Sequence, residues 1–418
     1  MSFKDTSVNW KEEKLVDVTN YISRGITPKY TDCNKDSVVV VNQRCIRDGV
    51  VSLENARRHD LNKKKVNEDK YLRDFDILVN STGVGTLGRV SQIHKLRELT
   101  TADSHVTIVR GDEKVIDKKY LGYSLKLKQP IIENMAEGST GQTELSRSRL
   151  GDEIKIQFPE SIIEQKEIAH ILSTLDEKIE VNNRINKTLE EMAQAIFKHW
   201  FVDFEFPNED GEPYKSSGGE MVDSELGPIP KGWEVESLKD VIELYDSKRV
   251  PLSGNVRDKM EKIYPYYGAA SLMDYVDDYI FDGIYVLLGE DGTVVTDDGS
   301  PVLQYVWGKF WVNNHAHVIS GKKEYSVNFV YNLLKNMNVS SIVTGAVQKK
   351  INQKNLISYK VVLPKNNGLI NTYTSIVEGL YKKYRLANDE NKVLASIRDT
   401  LLPKLMSGEI RVPLDNEE

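Results

Sequence analysis

Cysteine is almost absent: the 418 residues contain two, Cys33 and Cys45. That excludes a disulfide framework and a cysteine zinc site, and reads as two reduced thiols of a cytoplasmic protein. Long apolar runs are also missing. No stretch approaches the roughly 18 uncharged apolar residues of a spanning helix, so no membrane segment is expected. The opening "MSFKDTSVNWKEEK" lacks the apolar centre of a secretory leader. What remains is 39% hydrophobic and 28% charged, the composition of a globular chain with length for about two to four domains.

A basic excess is lacking too, since the net charge is −7. Its distribution is uneven, however. Residues 203–240 hold eleven acids and three lysines, a net of −8 that alone accounts for the overall sign. Residues 24–97 carry fifteen Lys/Arg against nine Asp/Glu, and residues 344–377 carry five lysines and no acid. Basic surfaces therefore coexist with an acidic total, which permits nucleic-acid binding without demonstrating it.

Catalytic patterns fail one after another. "STGVGTLGRV" (81–90) spells G-x-G-x-x-G with Gly83, Gly85 and Gly88. A dinucleotide fingerprint needs a helix after the glycines, and here the β-like "RVSQI" follows. The phosphate-loop reading fails because Gly88 precedes Arg89 and Val90 instead of Lys-Ser/Thr. These glycines are expected to form a tight turn that permits close backbone approach. No N-P-P-Y/F or D-P-P-Y tetrapeptide of amino-methyltransferases occurs, nor any G-x-S-x-G. Glu153-Ile154-Lys155 forms an E-x-K, but no Pro-Asp accompanies it. His315 and His317 sit on one face of an expected strand, with no third metal ligand evident.

What is present is a duplication. "WKEEKLVDV" (10–18) matches "WEVESLKDV" (233–241), and "STGQTELSRSRLGDEIKIQFP" (139–159) resembles "TGAVQKKINQKNLISYKVVLP" (344–364). After each closing proline comes a long helical pattern. Strand-like runs such as "SVVVVNQRCI", "SHVTIVR" and "VLQYVWGKFWV" fill the globular parts. The expected fold class is α/β (α+β): two similar domains and two long helices related by an internal pseudo-two-fold repeat.

Both helices carry a heptad stripe. In the first, Leu172, Ile179, Ala193 and Trp200 line one side of the seam, with Ile168, Leu175, Leu189 and Ile196 on the other. In the second, Val377, Tyr384 and Leu405 accompany Tyr373, Leu380, Ala387, Leu394 and Leu401. Asn182 and Asn186 interrupt the first, Asn391 and Arg398 the second, and Asn391 repeats Asn186 at the 205-residue offset. A seam asparagine costs stability and fixes register. The pattern predicts an antiparallel coiled coil of about 60 Å per helix at 1.5 Å per residue. The expected boundaries are 1–160 for the first recognition domain, 161–202 for the spacer helix and 203–230 for an acidic linker. Residues 231–367 form the second domain, 368–410 the second helix and 411–418 a tail.

A duplicated domain on a rigid spacer, without chemistry, suits a reader of two separated DNA half-sites. The residues then become specific. "FPESIIEQKEIAHILSTLDEKIEVNNRINKTLEEMAQAIFKHWFVDFEFP" (158–207), "GPIPKGWEVESLKDV", "LLPKLMSGEIRV" and "DILVNSTGVGTLGRV" resemble stretches of the specificity subunits of type I restriction–modification systems. The resemblance spans the chain and is strongest in the helices. It implies a cytoplasmic, non-catalytic subunit that binds double-stranded DNA, each domain reading one half of a bipartite asymmetric site. It implies two copies of a methylation subunit as partners, which hold S-adenosylmethionine and modify adenine N6. Two motor–nuclease subunits with ATP and Mg are an optional addition, and no cofactor or metal is expected on this chain. The competing readings are a duplicated protein-binding scaffold and a standalone enzyme.

Residue chemistry nominates the contacts, since Arg, Lys, Asn and Gln read base edges and Lys, Arg and hydroxyls hold phosphates. In the first domain these are Arg24, Lys29, Gln43, Arg44, Arg47, Arg57, Arg58, Thr82, Arg89, Arg147 and Arg149. In the second they are Lys248, Arg249, Arg257, Tyr267, Gln348, Lys349, Lys350 and Lys354. Ile171, Ile185, Met192, Phe197 and Phe201 flank the helix seam; they either dock partners or widen the seam.

Overall fold

The computed structural model describes residues 9–47, 49–135, 144–345 and 347–413. The first five residues of the repeat segment 139–159, and Ala346 within its counterpart, lie outside the described residues. The described chain divides into two units, one drawn from residues 1–180 and 391–418, the other from 181–390.

The matched sequence pieces are what closes each unit. In unit 1, strand Trp10–Lys14 pairs antiparallel with Lys155–Pro159, Trp10 opposite Pro159. In unit 2, Trp233–Ser237 pairs with Lys360–Pro364, Trp233 opposite Pro364. The repeated Leu and Val of both pieces, Leu15 and Val18, Leu238 and Val241, are fully buried.

Unit 1 holds an antiparallel sheet in the order Thr19–Arg24, Val106–Gly111, Ile77–Asn80, Val90–Gln92. A second sheet runs Thr100–Ala102, Ser37–Val41, Arg57–Asp60, Tyr30–Thr31, its first pair parallel. Helix Lys118–Leu127 is capped by the Asp117 carboxylate, which accepts from the N–H groups of Lys119 and Tyr120 at 2.9 and 3.0 Å. In unit 2 one six-stranded sheet runs Ile242–Leu244, Ala316–Gly321, Phe281–Gly289, Leu303–Val312, Tyr264–Tyr267, Leu272–Val276. Helix Val327–Lys335 is capped by Ser326, 209 residues after Asp117. The cap survives the divergence of side chain because a carboxylate and a hydroxyl both satisfy orphan helix donors.

The heptad stripes form two continuous helices, Ile162–Phe197 and Gly368–Met406. Within unit 1, Leu172 shares a core with Leu402 and Leu405, and Arg398 donates to Asp176 at 2.6 Å. Within unit 2, Asn182 donates to Glu390 at 2.7 Å, and the Tyr373 hydroxyl donates to the Ala193 carbonyl at 3.1 Å. In each unit the partner residue number falls as the first helix advances, so the segments run antiparallel. Along the stripes Leu172, Asn186 and Val377 are buried, and Leu175, Ile179, Leu189, Leu380, Tyr384, Asn391 and Leu394 are partly buried.

The acidic stretch expected as a connector is folded. It carries the hairpin Met221–Ser224 with Gly227–Pro230, and Phe206 stacks between Tyr214 and Trp233, with centroids 4.6 and 5.1 Å away. Its acids face water while its aromatics pack. Among the described residues no helix is long and apolar enough to cross a membrane.

Candidate nucleic-acid interface

In unit 1 the buried strand Ile77–Asn80 delivers the glycine turn to the surface. Gly83, Gly85 and Gly88 all adopt positive φ, +104°, +72° and +83°. The turn closes by hydrogen bonds from Leu87 N–H to the Gly83 carbonyl and from Gly88 N–H to the Asn80 carbonyl, 3.0 and 2.8 Å. A Cβ on Gly88 would lie 2.6 Å from the Glu133 Cα. Close backbone packing is thus the reason for that glycine, and Val84 at the tip is 88% exposed.

Around this turn the fold gathers several nominated residues. Thr82 bridges to Glu144 and hydrogen-bonds His105 Nδ1 at 2.8 Å. Asn80 donates to the Gln43 carbonyl at 3.1 Å. Gln43 and Arg44 line an open cleft of about 240 Å³ together with Tyr30, Asn42, Asn55, Arg57 and Asp103. Burial pushes the Asp103 carboxyl up from its ordinary value, against the pull of the His105 N–H. A second open cleft is lined by Arg24, Glu144, Ser146 and Arg147. Lys29, Arg44, Arg47, Arg57 and Arg147 are exposed. Substituting Gly83 by alanine is expected to cost unit 1 about 1–3 kcal/mol. The new Cβ would lie 2.3 Å from Thr86 Oγ1 and 2.5 Å from Gln43 Oε1. Urea unfolding measures this, and an unchanged midpoint would contradict the turn geometry.

Other nominated arginines have partners within the chain. Arg58 is held by Ser37 and Glu98 at 2.8 and 2.9 Å. Arg149 forks onto both oxygens of Glu153 at 2.6 and 2.9 Å. Arg89 donates to the Gly85 carbonyl at 2.8 Å and shapes the turn. Arg24 ties the Leu145 carbonyl at 3.0 Å and Glu144 at 2.5 Å. Tyr30, Asn42, Asn55 and His105 were not nominated, because residues far apart in sequence meet only through the sheet pairings.

Unit 2 repeats the scaffold with different side chains. After strand Phe281–Gly289, Gly292 (φ +85°) turns the chain, and its N–H donates to the Lys349 carbonyl at 3.0 Å. Asp291 bridges Lys350 as Thr82 bridges Glu144, and Asp291 pairs with His315 at 2.6 Å, the counterpart of Thr82 with His105. Gln348, Lys349, Lys350 and Lys354 are exposed on or beside this loop, and Lys248 is exposed over the Tyr245 ring.

Beneath it lies a buried ionic network. Asp246 accepts from His317 Nδ1 at 2.6 Å, Val318 N–H at 2.9 Å and Gln353 at 2.5 Å. The other ring nitrogen of His317 meets the Ile351 carbonyl at 2.8 Å. A carbonyl only accepts, so Nε2 carries hydrogen, and Nδ1 faces the Asp246 carboxylate. Glu290 accepts from Arg249 at 2.8 Å and faces Lys350 at 3.1 Å. Burial pushes the Asp246 carboxyl up, but His317, Gln353 and the Val318 N–H outweigh it and hold it below the ordinary range. Glu290 is held low in the same way, burial being outweighed by Arg249, His317 and Lys350.

Asp246, Glu290 and His317 lie close enough to hold a metal, yet the carboxylates already face Arg249, Lys350 and the His317 ring. His317 is fully buried in this network, and Arg249 joins it. The latter's side chain is 11% exposed between Asp246, Glu290 and the Ala316 carbonyl. Arg257 pairs with Asp274 at 2.6 Å. Tyr267 packs edge-on against Phe310 in a core cluster.

The type I restriction modification DNA specificity domain matches this chain twice, over residues 7–191 and 230–394. The chain belongs to that family. As a type I specificity subunit it has long-range relatives. It is 28% identical to the MjaIX specificity subunit of Methanocaldococcus jannaschii, over 75% of this chain and 73% of that one. It is 22% identical to the HindI specificity subunit of Haemophilus influenzae, over 96% of this chain and 100% of that one. The crystal structure of the S subunit from M. genitalium shares the fold over 97% of this chain and 98% of its own, with a TM-score of 0.55 at 20% identity. The two family matches coincide with the two copies of the internal repeat, so this specificity subunit carries two recognition domains.

Proposed function

We propose that each unit of this specificity subunit reads one half of a bipartite, asymmetric site in double-stranded DNA. The observation that carries this is the repeated scaffold with unlike polar side chains. At the turn of unit 1 Thr82 bridges Glu144 and meets His105, where in unit 2 Asp291 bridges Lys350 and meets His315. Like scaffolds with different hydrogen-bonding edges suit two unlike sequences. Selection of random duplexes by the complex of this chain with its methylation subunit is expected to enrich a two-part sequence with a fixed gap. Enrichment of no sequence would favour the protein-binding scaffold.

Under this proposal the chemistry belongs to partners. Two methylation subunits hold S-adenosylmethionine and modify adenine N6, and a motor subunit, where present, uses ATP and Mg. The chain contributes positioning. Ile185 and Met192, 45% and 47% exposed and seven residues apart on one helix face, support a docking role. Ile171 is partly buried against the unit 1 core, and Phe197 and Phe201 are buried in the unit 2 core, so these three instead complete the packing. Met192→Asp is expected to leave the thermal midpoint unchanged and to weaken methylation-subunit binding about tenfold. Unchanged recovery in a pull-down would remove the docking role.

A further inference from the structure

Arginines in unit 1 fall into two groups. Arg24, Arg58, Arg89 and Arg110 each spend their donors on acceptors of their own chain, at 2.5–3.0 Å. Arg57 does not. Its guanidinium lies 3.6 Å from the centroid of the Tyr30 ring, and among the described residues no carboxylate or carbonyl accepts from it. It is exposed at the start of strand Arg57–Asp60, in the cleft shared with Asn42, Gln43, Arg44 and Asn55.

Stacking on an aromatic ring fixes the plane of a guanidinium and leaves its edge donors in place. A planar fork of fixed direction matches a pair of acceptors. In the major groove guanine presents two, O6 and N7, whereas adenine presents one acceptor beside a donor. Holding the fork on Tyr30 before binding lowers the ordering cost of the contact. The neighbouring Asn42 amide is occupied on both sides: its nitrogen donates to the Asn55 main-chain carbonyl at 2.9 Å, and its oxygen accepts from Arg44 N–H at 2.8 Å. Among the described residues Arg57 is therefore a fork of this cleft that is preorganised on a ring and spends no donor on the chain's own acceptors.

We infer that Arg57, held flat on Tyr30, reads a guanine in the half-site of unit 1 and determines specificity at that base pair. This rests on the DNA-reading role proposed above for unit 1. Arg57 is the reading residue and Tyr30 a positioning residue.

The test maps modified sites genome-wide in cells carrying the methylation subunit with wild-type chain, Arg57→Gln, Arg57→Lys or Tyr30→Ala. The wild-type motif is expected to contain a G·C pair in one half that Arg57→Gln relaxes or re-specifies. Modification at the original sites should fall about 10- to 100-fold, and the other half should keep every base. Arg57→Lys keeps the charge but not the fork and should relax the same position, which keeps the test decisive should Arg57→Gln fail to fold. Tyr30→Ala should blur that position alone. An unchanged motif with a uniform loss at all sites would make Arg57 a phosphate contact and overturn the inference. A wild-type chain that directs no two-part motif would instead overturn the underlying reading of unit 1.

Discussion

Replacing Asp246 by alanine is expected to destabilise unit 2 by about 3–5 kcal/mol, the cost of breaking a buried ion pair by removing one partner. Asp246 is 8% exposed and His317 fully buried, so the change would leave the His317 ring nitrogen, Gln353 and part of the Arg249 charge without their acceptor in the interior. The damage should reach the surface. Gln353, which donates to Asp246, and Ile351, whose carbonyl receives His317, follow directly on the exposed Gln348–Lys350 loop. A variant that folds at low temperature should therefore lose discrimination in one half of the site before the other.

The same network sets a pH dependence. Asp246 and Glu290 are both held below the ordinary carboxylate range in the folded protein. A depressed folded value means that the unfolded state binds protons first. The stabilisation is complete above the unfolded carboxylate range of about 4 and drains away as pH falls through the lower folded values. Urea midpoints for unit 2 should hold steady from pH 7 to about 5 and fall steeply below about 4. Asp246→Ala should start lower and fall less. Equal midpoints for wild type and variant at pH 7 would mean that the network contributes nothing.

Phe197→Ala is expected to cost about 3–5 kcal/mol, and Phe197→Asp to unfold unit 2 outright. Phe197 is 1% exposed. Its ring stacks on Phe201 at 4.9 Å and meets Phe329 and Tyr373 edge-on at 5.5 and 5.6 Å. Phe201 adds edge contacts to Phe329 and Tyr373 at 5.3 and 5.4 Å. Thermal unfolding of Phe197→Ala beside Met192→Asp separates the two helix faces. Comparable midpoints for both variants would contradict the packing.

Those two phenylalanines show where the sequence stops being readable. The heptad period is a local property that a sequence displays directly, and along it Leu172, Asn186 and Val377 are buried and Leu394 partly buried. Phe197 and Phe201 lie off the a/d lines and read as available. They are buried by helix Val327–Lys335 and by Tyr373 and Tyr381, elements 130 to 180 residues away that no periodicity announces. The helix also changes to a π-type turn over Lys198–Val202, which rotates its last side chains away from the heptad face. The repeat itself was legible because its matched residues close each unit, Trp10 against Pro159 and Trp233 against Pro364.

Recognition residues are harder to read for an electrostatic reason. A basic side chain in a sequence carries no sign of its acceptor. Arg249 and Arg57 look alike until the fold brings Glu290, 41 residues on, to the first and the Tyr30 ring to the second. The glycine turn was legible as a turn, because the residues after Gly88 cannot make the helix a nucleotide site needs. Its companions Asn42, Asn55 and His105 come from three different strand ends. The assembly of the cleft is a property of sheet order.

The most direct measurement is a genome-wide map of modified adenines from cells expressing this chain with its methylation subunit. One two-part asymmetric motif with a fixed gap is expected, and exchanging the recognition region of either unit for that of a relative should change one half and leave the other intact. A stable complex that modifies no defined sequence, or a motif in which both halves change together, would contradict independent reading by the two units.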